Sequence, residues 1–207
     1  MIDKLSNRIT KFLVRNNHNI SEDKAEIIDY GLNILIYQSL LILLILALAL
    51  FLGLLIYIAI TLVIFAILRI FAGGAHASSR IQCAIMNFAV LFGTVILAKY
   101  LWAESYFPSI VVYIVNLLIV CFYAPGDTIE RPIISPKLRR RQKTISILII
   151  ICLFISALII WKHDKVVYNI FLVCPLLTLI ILTPIGYRLF KSKHSYEDVQ
   201  TSSLLSI

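Results

Sequence analysis

Charged residues are scarce in this chain: they make up 14% of its 207 residues, and only 11 residues are acidic. A water-soluble domain of this length carries about a quarter charged residues, so that class is excluded. The four cysteines, at positions 83, 121, 152 and 174, include no C-x-x-C pair, which removes the usual redox and structural-zinc signatures. No H-E-x-x-H occurs and no carboxylate pair falls inside an apolar stretch, so no metal or other cofactor is called for. The lack of a G-x-S-x-G disfavours a rhomboid-like serine protease. The N-terminus has no short apolar run followed by small residues, hence no signal peptide is expected. Internal repeats and low-complexity tracts are missing as well.

What the chain has instead is 60% hydrophobic residues and a mean hydropathy of +0.94, arranged as long uncharged stretches between short basic clusters. The uncharged windows are Tyr30 to Leu68, Ile81 to Ala98, Ser105 to Gly126, Thr144 to Trp161 and Val166 to Tyr187. A hydrocarbon core of about 30 Å takes roughly 20 helical residues, so each of the last four fits one span. The first would make a rod of roughly 58 Å and is better folded into two spans meeting near Leu52 and Gly53. The fold class is therefore all-α, a polytopic membrane protein of about six transmembrane helices.

Charge sets the topology, because Lys and Arg collect on the cytoplasmic side of short loops. Six spans put sixteen of the 19 basic residues inside and leave only Lys99, Lys162 and Lys165 outside, so both termini are expected in the cytoplasm. Tyr100, Trp102, Tyr106, Trp161 and Tyr168 near the outer boundary, and Tyr123 and Tyr187 near the inner one, suit an aromatic belt. The net charge of +8 then reads as loop charge facing anionic lipid, with no nucleic-acid partner.

Three segments follow. Residues 1–30 form a cytoplasmic amphipathic segment in which Ile2, Leu5, Ile9, Phe12 and Leu13 recur at helical spacing, suited to lie along the inner membrane surface. Asn16, Asn17 and Asn19 break it, and Ser21 with Glu22 and Asp23 can start a helix that runs into the first span. Residues 31–187 hold the spans, with a segment 69–83 that carries possible chemistry and a basic loop 124–143. Residues 188–207 are a cytoplasmic tail.

Cys121, Cys152 and Cys174 sit inside apolar windows and suit inert packing. Cys83 differs, since it lies at the cytoplasmic edge of a span with His76 seven residues upstream. On a continuous helix the two would be about 10 Å apart along the axis, out of hydrogen-bond reach. Gly73 and Gly74 can break the helix, and Ser79-x-x-Gln82 reads as a capping box that starts a new one. Cys83 would then occupy the first turns, where the macrodipole favours a thiolate, and His76 could fold back as its base. Gln82, Asn87 and Asn33 could each orient the imidazole. Interfacial packing of Cys83 and a solvated His76 is the bland alternative. His18, His163 and His194 are not placed to help Cys83, and Pro175 and Pro184 suggest kinks in the last span.

The run from Arg69 through Gly73, Gly74, His76 and Ala77 to Cys83, in a basic six-span chain, resembles the accessory gene regulator protein B (AgrB) family of bacterial membrane peptidases. Tyr123-Ala124-Pro125-Gly126-Asp127-Thr128 and Arg131-Pro132-Ile133 extend the resemblance. It implies a cysteine endopeptidase with Cys83 and His76 catalytic, Arg69 and Gly74 functionally sensitive, and a homodimer. The implied substrate is an AgrD-like propeptide with an amphipathic leader, a core containing a cysteine and an acidic tail. Cleavage after the core through an acyl-enzyme thioester would yield a cyclic thiolactone or lactone signal for quorum sensing. The basic residues between Arg131 and Lys143, among them Arg139, Arg140 and Arg141, could attract the acidic tail, or could simply follow the positive-inside rule. Arg69 could hold a substrate carboxylate in bidentate fashion or snorkel at the end of span two. The rival class is a non-catalytic permease or interaction subunit, and a permease would line its path with polar residues that these windows largely lack.

Overall fold

A computed structural model describes residues 2–16, 21–75, 79–101, 106–127, 133 and 135–189, with only the backbone at Arg80. His76 lies outside the described residues, as do Asn17, His18, Asn19, Ala77, Trp102, Ser105, Thr128, Arg131, Pro132 and the tail beyond Leu189. The described chain is all-helical: α1 (Ile2–Asn16), α2 (Glu22–Phe51), α3 (Leu55–Phe71), α4 (Arg80–Tyr100), α5 (Phe107–Tyr123), α6 (Pro136–Ile160), α7 (Lys165–Ile180) and α8 (Pro184–Leu189). Helices α2, α4 and α6 are long and apolar enough to cross a membrane, and α3, α5 and α7 are shorter apolar helices of 16 or 17 residues. Large apolar side chains stand in the open along them, such as Ile56 at 72% exposure and Phe122 at 78%, as a surface bathed in lipid rather than water requires.

The chain divides into two compact units, Met1–Leu55 and Ile56–Ile207. In the first, Ser21 stands as N-cap of α2, with Glu22 and Asp23 in the opening turn, as its sequence predicts. Helix α1 meets α2 through small polar residues. Ser6 Oγ donates to the main-chain and side-chain oxygens of Asp29, Thr10 Oγ1 donates to the same carboxylate at 3.2 Å, and Asn33 Nδ2 donates to Asp3 at 2.6 Å. The Leu5, Phe12 and Leu13 side chains are left exposed. Gly53 closes α2 in the left-handed region, with Leu54 N bonded to the Ala49 carbonyl and Gly53 N to that of Leu50, the Schellman pattern of a helix end.

In the second unit α7 is the central helix, packed against α4, α5 and α6 and buried on nearly every side. Tyr168 therefore lies inside the bundle and not in an interfacial belt. Two polar ties fix it. Asn169 Nδ2 donates to the carbonyls of Ala98 and Leu101, both at 2.8 Å, and so caps the end of α4. Pro175 has no N–H, which leaves the carbonyl four residues earlier without its helical donor, and Tyr113 Oη of α5 donates to that Phe171 oxygen at 2.8 Å.

Two expectations change. The window Val166 to Tyr187 is not one helix, because α7 ends in a turn over Ile181 to Thr183 before Pro184 opens α8. The basic stretch expected as loop is helical from Pro136 onward, since Ser135 Oγ accepts from Leu138 N and proline suits the first helical position.

The turn after α7 takes part in a three-way main-chain clasp. Gly126 N donates to Ala72 O at 2.8 Å, Gly74 N to Gly126 O at 3.3 Å, and Ala75 N to Ile181 O at 3.4 Å. Gly73 and Gly126 face each other as an isolated parallel bridge. Gly73 (φ +75°) and Gly74 (φ +117°) adopt backbone open to glycine, and a Cβ on Gly73 would collide with the Gly126 carbonyl.

Tyr113→Phe strips the donor from Phe171 and should cost about 1 kcal/mol, read as an earlier midpoint of unfolding in detergent. In a Pro175→Ala background the restored N–H takes over that carbonyl, so the same change should cost little. Gly73→Ala should open the clasp at a cost of about 2 kcal/mol or more, seen as protease cutting in the 72–79 linker. Gly93→Ala, where nothing lies within 4 Å of the added Cβ, should behave as wild type.

Candidate active site

Helix α3 ends at Phe71, one turn before Gly74, and the carbonyls beyond it need donors. Arg69 supplies them: Nη1 donates to Gly73 O at 3.2 Å and Nη2 to Ala75 O at 3.0 Å. The rigid guanidinium fork spans the segment that leads into His76. A side chain at position 74 would press on that fork, with an added Cβ only 2.9 Å from Arg69 Nη1. Arg69 thus reaches back to its own main chain, a role that neither the substrate-carboxylate nor the snorkelling expectation contained.

The chain re-enters helix at Ser79, whose Oγ accepts from Gln82 N at 3.2 Å. Cys83 N bonds Ser79 O at 3.1 Å, which sets Cys83 in the opening turn of α4, half-buried. Burial of the thiol and the nearby Arg69 guanidinium act on Cys83 in opposite senses, burial being the larger effect. The structure therefore brings Arg69, Gly73, Gly74 and Cys83 to one place, around the linker that carries His76. Gln82 is exposed, and Asn87, one turn beyond Cys83 on the same face, is buried. Asn33 belongs to the first unit and gives its amide to Asp3. Cys174 is buried against Thr61 O and Thr178, while Cys121 and Cys152 lie along α5 and α6.

Asp127, Tyr187 and Gly126 were not singled out as site residues by sequence reasoning. Asp127 is 4% exposed and accepts from Arg139 Nη2 at 2.5 Å, and its main-chain oxygen accepts from Tyr187 Oη at 2.8 Å. The Tyr187 hydroxyl lies within electrostatic reach of Asp127, Arg69 and Arg139. Arg139 is thereby engaged from within, whereas Arg140 and Arg141 are exposed on the first turns of α6. One signal was available: Asp127 and Glu130 are the two acids next to six basic residues, and an acid recruits a partner when buried. Nothing in sequence marked Tyr187 beyond its place at a boundary.

Residues 6–182 match the family described as Accessory gene regulator B. A putative AgrB-like protein of Clostridium perfringens (strain SM101 / Type A) is 29% identical over 212 aligned positions, 96% of this chain and 99% of its own length. A putative AgrB-like protein of Clostridium acetobutylicum is 32% identical over 139 positions, 66% of this chain and 65% of its own. The accessory gene regulator protein B of Staphylococcus lugdunensis is 35% identical over 99 positions, 46% of this chain and 50% of its own. No solved structure matches the chain. The matched span runs through the helix break, the Ser79 cap and Cys83, and the chain belongs to the accessory gene regulator B family.

Proposed function

We propose that this protein is a cysteine endopeptidase of the agr quorum-sensing system, embedded in the bacterial cell membrane, that cuts an AgrD-like propeptide after its core and cyclises the core. Cys83 carries this reading: it is the one cysteine at a helix start, in the first turn of the Ser79-capped α4, facing a fixed cation and following a clasped linker. A thiolate there would meet the positive end of the α4 dipole and the Arg69 charge, which work against the larger effect of burial. His76 takes the thiol proton, Cys83 sulfur attacks the carbonyl at the core–tail junction, and His76 returns the proton to the amine of the departing tail. Amides at the start of α4, other than that of Gln82 which Ser79 occupies, would stabilise the oxyanion. The core remains as a thioester on Cys83. The core's own thiol or hydroxyl then attacks that thioester, closes the ring and releases Cys83 with its proton.

The asymmetry of basic residues supports a site and both termini on the cytoplasmic side. An amphipathic leader on the inner leaflet would deliver the scissile bond at the depth where α3 ends and α4 begins, and α1 with its exposed Leu5, Phe12 and Leu13 suits the same surface. A homodimer is part of the same reading.

Co-expression with the propeptide encoded beside its gene, followed by mass spectrometry, tests this. Wild type should release a tail and yield a core lighter by one water. Cys83→Ala and His76→Ala should each abolish both products, a loss of about a thousandfold or more for a nucleophile and its base. Tail release persisting in Cys83→Ala would return the chain to the interaction-subunit class.

A further inference from the structure

The clasp that holds the linker to His76 has a second layer. Gly126 makes two of its main-chain bonds, and Gly126 is followed at once by Asp127. Asp127 is fixed twice, through its carboxylate to Arg139 at the start of α6 and through its main-chain oxygen to Tyr187 of α8. The Ile181 turn that takes the Ala75 amide is braced in turn, because Gly186 lies so close to Ile181 that a Cβ there would collide with it. Two chain segments distant in sequence, at Gly126 and at Ile181, thus converge on residues 72–75. Removing the Asp127 carboxylate would take away the anion that holds the Arg139 guanidinium at this place.

We propose that Asp127, Arg139 and Tyr187 are positioning residues of the peptidase, which hold the 72–75 segment and so aim His76 at Cys83, and that Arg139 serves the site in this way while Arg140 and Arg141 meet the acidic tail of the substrate. This rests on the cysteine-peptidase reading above. It divides three consecutive arginines by what they touch: Arg139 is spent on a buried carboxylate, and the two exposed ones face the surroundings. An ion pair sunk beside main-chain hydrogen bonds fixes a direction more than it adds stability, and a small error in aim is costly to proton transfer.

The test uses the full chain in membranes with increasing amounts of the propeptide encoded beside its gene, reading the initial rate of tail release to give kcat and KM separately. Asp127→Asn and Arg139→Ala should lower kcat roughly ten- to hundredfold with KM within about twofold of wild type. Arg139→Lys, which keeps the cation, should recover most of kcat. The pair Arg140→Ala with Arg141→Ala should raise KM and leave kcat nearly intact. The exchange Asp127→Arg with Arg139→Asp should exceed either single exchange by about tenfold or more in kcat. A raised KM with unchanged kcat in Arg139→Ala would make Arg139 a substrate contact and overturn the proposal, as would wild-type kinetics in both Asp127→Asn and Arg139→Ala. If the alanine variant fails to accumulate, Asp127→Asn decides: a lowered kcat upholds the assignment, and a raised KM or no change defeats it. Cys83→Ala run alongside separates the two layers. Tail release in that variant sinks the peptidase itself, whereas a silent Cys83→Ala beside a fully active Arg139→Ala sinks only the positioning role.

Discussion

Away from water a main-chain carbonyl that loses its helical donor has only the protein to turn to, and three helix interruptions among the described residues are arranged around that fact. Past the end of α3 the carbonyls of Ala72, Gly73 and Ala75 are taken by Gly126 N and the two arms of Arg69. Where α4 stops, Asn169 reaches across from α7. Where Pro175 removes a donor inside α7, Tyr113 replaces it from α5. Within the helices, Thr61, Ser146, Ser156 and Thr178 bond the carbonyl four residues back, so these hydroxyls are satisfied locally and ask nothing of a neighbour. Asn169 and Tyr113, polar side chains spent between helices of the second unit, sit where a carbonyl would otherwise be stranded.

This explains which parts of the structure could be read from sequence. Windows bounded by charge gave the apolar helices, because hydrocarbon thickness and helical rise fix their lengths independently of packing. Gly53, Ser21 and Ser79 were legible because a left-handed residue and an N-cap are local requirements that a few neighbours settle. Arg69 was not legible in its true role, since which carbonyls lie within a guanidinium's reach depends on how residues 72–75 turn. The turn over Ile181 to Thr183 was hidden for the same reason: the window around it is uniformly apolar, and the Ile181 carbonyl is used by Ala75, more than a hundred residues earlier. Helix α1 was amphipathic as expected. The face it packs, Ser6 and Thr10, lies about a quarter turn from the apolar residues on which that expectation rested.

A helix break at a membrane boundary also offers chemistry that an unbroken span denies. A continuous helix satisfies its own amides, so a cysteine in the middle of one sits in a field with no donor to spare. At the start of α4 the opening turn carries the positive end of a 21-residue helix, and Ser79 takes up one amide there. Helix α3 ends at Phe71 and α4 begins at Arg80, whereas one continuous helix would hold His76 and Cys83 two turns apart and keep the imidazole from the sulfur.

Arg69 can serve both structure and charge because the two demands do not compete. Carbonyl oxygens accept its N–H groups without neutralising it, so the bonds to Gly73 and Ala75 pin the cation in place and leave its charge in force. A charge already held needs no reorganisation when negative charge develops beside it, which is the condition under which electrostatic stabilisation is strongest. Arg139 is in the opposite situation. Its charge is matched by the Asp127 carboxylate, so it adds rigidity and little field. A cation pinned by main-chain carbonyls, as Arg69 is, is suited to a reaction in which a single negative charge passes from sulfur to an oxyanion and back.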